Sequence, residues 1–171
     1  MGERRGKKEQ FYEHGIYRRR RATRGSLGGL ERTTADVATV LDASGRDLVM
    51  IETVGVGQDE VDIVRLADIT IVILVPGMGD DVQTIKAGIM EIAESFGINK
   101  CVRDGAGRVE REIRALQALV ARMAKWTPPI VKTVASEGAG IVELAAAIRD
   151  YEIYLQKENL VVRRNVENWQ N

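Results

Sequence analysis

Residues 70–75 read Thr70-Ile-Val-Ile-Leu-Val75 and run directly into Pro76-Gly77. A continuous apolar run without polar alternation suits a strand buried on both faces, the condition of strands in a parallel sheet, and Pro-Gly closes it. Two further stretches share this character: Asp47-Leu-Val-Met-Ile-Glu-Thr53, with an apolar centre flanked by acids, and Pro129-Ile-Val-Lys-Thr-Val134. Phe96-Gly97-Ile98 is a shorter strand candidate. Helical spacing fills the intervals. Leu30, Val37, Val40 and Leu41 form one apolar stripe that ends at Gly45, and Val82, Ile85, Ile89 and Ile92 form another within 81–94. Ile113, Leu116, Val120 and Met123 lie on one face of a helix over 109–125, and Ile141, Leu144, Ile148 and Tyr151 on one face of a closing helix over 141–155. Val61, Ile63, Val64 and Leu66 suit a short helix or turn. Strands alternating with helices predict an α/β domain with a mostly parallel sheet.

Composition narrows the setting. The chain has 171 residues, 44% of them hydrophobic, which argues against a largely disordered polypeptide. No apolar run approaches the roughly 18 residues that span a bilayer, so no membrane partner is expected. The opening Met-Gly-Glu-Arg-Arg-Gly-Lys-Lys is not a secretory signal, because no apolar stretch follows it. One cysteine, Cys101, excludes an internal disulfide framework, and with one histidine, His14, it argues against a Cys/His zinc site. The expectation is a reducing, cytoplasmic location.

The formal net charge of zero conceals an asymmetry. Residues 1–24 form a basic arm of charge +6, leaving −6 on the remainder. The main body spans 25–157, and 158–171 is a polar tail. A basic arm can bind nucleic acid, but beyond Phe11, Tyr12 and Tyr17 it has no aromatic series for stacking bases. A solvated arm, or one lying on its own acidic body, is the favoured reading.

In open α/β sheets ligands bind beyond the carboxyl ends of the strands. Four constellations stand there. The first is Glu52-Thr-Val-Gly-Val-Gly-Gln58. A strand-end acid suits hydrated Mg²⁺, which is usually shared with substrate phosphates, and Gly55 lets a backbone N–H approach a terminal phosphate. A glycine-rich turn with a solvated Glu52 is the equal alternative. The second is Asn99-Lys100, where P-loop GTPases carry Asn-Lys-x-Asp. In that motif the Asn braces neighbouring loops, the Lys stem lies along the purine, and the Asp accepts two hydrogen bonds from guanine. The fourth position here is Val102, and losing that paired contact costs roughly 2–4 kcal/mol. Asp104 lies two residues further on and needs a changed loop to substitute. The third is Thr133-Val-Ala-Ser136, where small residues allow loop backbone to meet a purine O6; otherwise Ser136 is a helix-entry residue. The fourth is Pro76-Gly-Met-Gly-Asp-Asp81, in which Asp80 or Asp81 caps the following helix and Lys86 is within pairing reach.

The order of these signals, together with Ala22-Thr-Arg-Gly-Ser-Leu-Gly-Gly-Leu30 and Leu74-Val-Pro-Gly-Met-Gly-Asp-Asp81, closely resembles the MeaB/ArgK family over about residues 15–155. These are the methylmalonyl-CoA mutase-associated GTPases, also labelled lysine/arginine/ornithine transport-system kinases. The resemblance implies a partial P-loop NTPase fold of the SIMIBI type, with three layers. It also implies GTP/GDP and Mg²⁺ as cofactors, a homodimer, and a chaperone role toward adenosylcobalamin-dependent methylmalonyl-CoA mutase. By position, Glu52 is the Mg²⁺-associated acid, Gly55 the γ-phosphate amide of the second switch and Gln58 a candidate for orienting the attacking water. Asn99 and Lys100 are the base-reading pair, with Ala135 and Ser136 in the purine loop. Arg21 and Arg24 fall on the first switch, and Asp80, Asp81 and Lys86 on the third, which relays nucleotide state to the mutase.

Two departures stand against that pattern. No Gly-x-x-x-x-Gly-Lys-[Ser/Thr] occurs in the 171 residues, so the phosphate cradle with its lysine and Mg²⁺ hydroxyl is missing. Val102 replaces the guanine-reading Asp, and Gly97 stands in the preceding strand where an apolar residue is usual. The expectation is an N-terminally truncated or divergent GTPase domain, with a gap or an unpaired edge in its sheet and poor solubility without a partner. The alternative is a non-catalytic interaction remnant of such a GTPase.

Overall fold

A computed structural model describes residues 29–53, 66–77, 90, 92–102, 105–120 and 125–158. In chain order the elements are α1 (Gly29–Ala43), β1 (Ile71–Leu74), β2 (Ser95–Asn99), α2 (Ala106–Val120), β3 (Ile130–Thr133) and α3 (Ile141–Lys157), with a 3-10 turn at Ala135–Glu137 between the last two. The strands form a parallel sheet in the order β1-β2-β3. This is the α/β class expected from the alternation of apolar runs and helical stripes. Among the described residues no helix is long and apolar enough to cross a membrane.

The shortest strand candidate is the centre of the sheet. β2 pairs with β1 through Phe96 opposite Val72 and Ile98 opposite Leu74, and with β3 through Phe96 opposite Ile130. Phe96 and Ile98 are fully buried and share a core with Ala106, Val109 and Ile113 of α2, while Val72, Leu74, Met90, Leu116 and Cys101 pack around it. Period-two alternation sets Phe96 and Ile98 on one face and Gly97 on the other. On Gly97's face the neighbour in register is Ile73, whose side chain lies over the glycine. The apolar residue expected at position 97 is thus supplied from the adjacent strand.

Two expectations need correction. Residues 48–53 carry no strand, and Leu48 and Met50 are 68% and 85% exposed. An apolar run becomes a strand only when a neighbour completes its hydrogen-bond ladder, and among the described residues this run has none. On α3 the buried positions are Ala147, Tyr151 and Leu155, whereas Ile141 is exposed. These positions are four residues apart and make one stripe; the predicted stripe was displaced at its start because Ile141 sits in the entry turn. The helix predicted over 81–94 is described only at 90 and 92–94: Met90 and Ile92 are helical, and Ala93 and Glu94 lie past its end. The arm 1–24 and the tail after Glu158 lie outside the described residues.

A polar knot fastens the N-terminal ends of the strands. The Glu94 carboxylate accepts the Thr70 N–H at 2.6 Å and the Tyr151 hydroxyl at 3.3 Å, and the Glu94 carbonyl accepts the Trp126 indole N–H at 2.9 Å. Trp126 packs edge-on against Tyr151 with ring centroids 5.0 Å apart, and Tyr154 completes the aromatic group. Glu94 is buried, so these donors replace the water it gives up. The opposite ends of β2 and β3, at Asn99 and Thr133, lead into loops.

Candidate functional site

β2 and β3 run in parallel with Asn99 opposite Thr133, so their carboxyl ends stand side by side. One atom ties them. The Asn99 Oδ1 accepts the Lys100 N–H at 2.9 Å, the Ala135 N–H at 3.1 Å and the Thr133 hydroxyl at 3.3 Å. A carboxamide oxygen has two lone pairs, so three donors saturate it. A second bond, from the Cys101 N–H to the Thr133 carbonyl at 3.3 Å, runs beside the first.

These bonds hold an uncommon backbone. Lys100 has φ +57°, the only non-glycine residue with positive φ among the described residues. The left-handed region costs an L-residue about 1–2 kcal/mol, and the bonds on either side of Lys100 offset that cost. The exposed lysine is thereby presented at a defined turn.

The facing loop is shaped by glycine. After β3 the Val134 N–H bonds the Ala139 carbonyl at 3.0 Å and the Glu137 N–H bonds the Val134 carbonyl at 2.9 Å, which folds residues 135–137 into their 3-10 turn. Gly140, at φ +77°, then starts α3. A β-carbon there would collide with the Lys132 carbonyl oxygen, so the loop can lie on the β3 backbone only with glycine at this position. Ala135 and Ser136 are exposed on the turn.

Asn99, Lys100 and Ala135 are therefore brought together by direct hydrogen bonds, and Ser136 adjoins them. In the sequence, Thr133 stands in the strand-end run Thr133-Val-Ala-Ser136 without a role of its own, and Gly140 carries none. Val102 follows the anchored Cys101 and is 74% exposed. Behind the corner, Lys132 of β3 pairs with Glu110 of α2, which also pairs with Arg114 at 2.9 Å. Hydrogen bonding from Lys132, and then from Arg114, holds the Glu110 carboxyl below the usual carboxylate range.

Glu52 is exposed in a segment outside the sheet. Gly55, Gln58, Arg21, Arg24, Asp80, Asp81 and Lys86 lie outside the described residues. Among the described residues no three His, Cys, Asp or Glu side chains gather to hold a metal ion. Mg²⁺ usually takes one or two carboxylates and completes its shell with water and substrate phosphate. An exposed Glu52 carboxylate fits that chemistry as one such ligand.

The described corner is thus a strand-end Asn-Lys braced to a small-residue loop, and comparison with known proteins gives the family. The family model for methylmalonyl-CoA mutase-associated GTPase MeaB matches residues 1–170. The chain belongs to the MeaB family. A Pyrococcus horikoshii protein named as a candidate GTPase is 43% identical over 167 residues, covering 96% of this chain and 53% of that protein. The mitochondrial methylmalonic aciduria type A homolog of Mus musculus is 36% identical, over 80% of this chain and 34% of its own length. GTPase ArgK of Escherichia coli is also 36% identical, over 77% and 41% respectively. Among solved structures, a LAO/AO transport system kinase superposes with a TM-score of 0.67 at 27% identity, covering 83% of this chain and 48% of that one. This MeaB-family chain spans about half the length of the Pyrococcus relatives it matches.

Proposed function

We propose that this chain provides the base-binding and switch portion of a MeaB-type GTPase that binds GTP and GDP. The observation that carries the reading is the Asn99 side chain, whose single oxygen joins the Lys100 and Ala135 backbones across the ends of β2 and β3. Such a strap fixes the two loops relative to one another, and prepaid ordering of this kind raises affinity. In this reading the Lys100 stem lies along the purine, the Ala135–Ser136 turn meets its edge, and Glu52 holds Mg²⁺ beside Gly55 and Gln58. Bound Mg²⁺ would supply charge neutralisation on the phosphates. Arg21, Arg24, Asp80, Asp81 and Lys86 form the switch surfaces toward a partner.

The partner is an adenosylcobalamin-dependent methylmalonyl-CoA mutase, with this protein as its chaperone, working as a cytoplasmic homodimer. The family's name and the methylmalonic aciduria homolog support the mutase part of this assignment. A second reading, a non-catalytic module that keeps only the partner surfaces, is favoured by the lack of a Gly-x-x-x-x-Gly-Lys-[Ser/Thr] run in these 171 residues.

Calorimetric titration with GDP and GTP, with and without Mg²⁺, tests the first reading directly. Saturable, Mg²⁺-dependent binding lost in Asn99→Ala supports it. Retained mutase binding in a pull-down, with no nucleotide heat at millimolar concentration, establishes the second reading instead.

A further inference from the structure

We infer that this chain pairs with a second copy of itself by exchanging one extended segment: residues 48–51 of each copy add to the outer edge of β1 in the other. The inference rests on the homodimer part of the reading above and names its contact surface.

The edge is defined by the backbone. The Thr70 carbonyl accepts the Ser95 N–H at 3.3 Å, and Ile71 stands opposite Ser95. Backbone groups of successive strand residues point to alternate sides. Val72 and Leu74 therefore bond β2, while the N–H and C=O groups of Ile71 and Ile73 point outward. Among the described residues nothing takes up those outward groups. β2 shows the completed state: its Phe96 N–H turns to the other side and reaches the Pro129 carbonyl at 2.9 Å, where β3 lies. Sheet edges are commonly guarded by charge, yet residues 70–75 carry none and Ile73 is 49% exposed.

Residues 48–53 are the counterpart. They contain no turn or bend, and exposure alternates along them, with Leu48, Met50 and Glu52 exposed and Val49 and Ile51 half-buried. A period of two is the mark of an extended chain. Leu48 and Met50 are 68% and 85% exposed. The four apolar residues Leu48-Val-Met-Ile51 match the length of Ile71–Leu74 in β1.

One chain thus carries an edge without a strand and a strand without an edge, and within a single copy the two are not joined. Two copies about a two-fold axis satisfy both at once, because each gives its run and receives the other's. The exchange closes at two copies. Its ladders supply backbone hydrogen bonds, and the apolar side chains that water now meets are covered.

The test is sedimentation equilibrium of the full chain from about 1 to about 100 µM, a range that saturates a contact of micromolar affinity. Two variants disable one half each. Ile71→Pro removes an outward N–H at the first residue of an edge strand, a position where proline is tolerated. Val49→Pro with Met50→Pro blocks the run whichever of its sides meets the edge. The wild type should be a dimer, and each variant should dissociate more readily by about tenfold or more while keeping wild-type helix content by circular dichroism. An equimolar mixture of the two variants should re-form a dimer, because the run of the first still meets the edge of the second. A monomeric wild type overturns this inference and the homodimer reading together, leaving the edge to another polypeptide and the nucleotide-binding reading untouched. A dimer that persists in either variant overturns the exchange alone. Variants that stay monomeric when mixed also overturn it, since edge-to-edge pairing of β1 would then account for the dimer.

Discussion

The Asn99 Oδ1 accepts the Ala135 N–H at 3.1 Å across 36 residues of sequence, joining the carboxyl ends of two adjacent strands through one side-chain atom. The same oxygen serves Lys100 and Thr133, so the loops on both sides of the corner depend on it. Removing it leaves three donors, of which the Lys100 and Ala135 amides stand at exposed positions where water can take over. Asn99→Ala should therefore cost about 1–2 kcal/mol, below the cost of stranding buried donors. Asn99→Asp keeps an acceptor and should retain most of that stability. Urea unfolding midpoints of the two variants provide the measurement, and equal losses in both would contradict the strap.

Two glycines of this sheet predict opposite outcomes on substitution by alanine. A β-carbon on Gly97 would stand 2.5 Å from the Ile73 Cδ1, the far end of a half-exposed side chain that can rotate aside. Alanine also lowers the entropy of the unfolded chain, so Gly97→Ala should change stability by less than about 1 kcal/mol. At Gly140 the obstacle is the Lys132 carbonyl, which is backbone, and φ is +77°. Gly140→Ala should cost about 3 kcal/mol or more, from strain and the clash together. Thermal melts of the two single variants separate the cases, and similar melting temperatures would show that the loop is not seated on β3 as described.

The contrast also marks what can be read from sequence. Residues 70–75 declare a strand locally, because an apolar run stopped by Pro-Gly has few other fates. Phe96-Gly97-Ile98 does not, because its burial comes from Val72, Leu74 and Ile130, which are far away in the chain. Residues 48–53 show the converse error: strand composition without a ladder partner is not a strand. At the site, the Asn99-Lys100 dipeptide was legible as a motif. Its bracing by Thr133 and Ala135 was not, since 34 and 36 residues intervene and only the register of β2 on β3 brings them together.

The knot at the other end of the sheet should tolerate loss of Tyr151's hydroxyl far better than loss of Glu94. The Tyr151–Glu94 bond is long, at 3.3 Å, and Tyr151→Phe keeps the ring against Trp126. Its cost should be below about 1 kcal/mol. Glu94→Ala takes away the acceptor of the Thr70 N–H, opens a cavity beside the aromatic group, and should cost about 2–4 kcal/mol. Urea denaturation followed by Trp126 fluorescence, with Trp169 replaced by Phe to isolate the signal, would rank the two variants. The reverse order would mean that the aromatic contacts depend on the hydroxyl.

Acid should weaken the α2–β3 contact in a defined window. The Glu110 carboxyl is held low by Lys132 and Arg114, so in the folded state it stays ionised below the unfolded value of about 4.3. Between those two values the unfolded chain binds more protons, and stability rises with pH there. The contribution is therefore complete above the unfolded value and is lost as pH falls through the folded one. Because the pair is solvent-accessible, it should be worth about 0.5 kcal/mol, the scale of a surface ion pair. Comparing wild type with Glu110→Gln by urea midpoint at intervals from pH 7 to pH 3 reads this out. The wild-type advantage should be level near neutrality, shrink below about pH 4.3 and vanish at the acid end. An advantage that grew on acidification would reverse the sign and refute the pairing of Glu110 with Lys132.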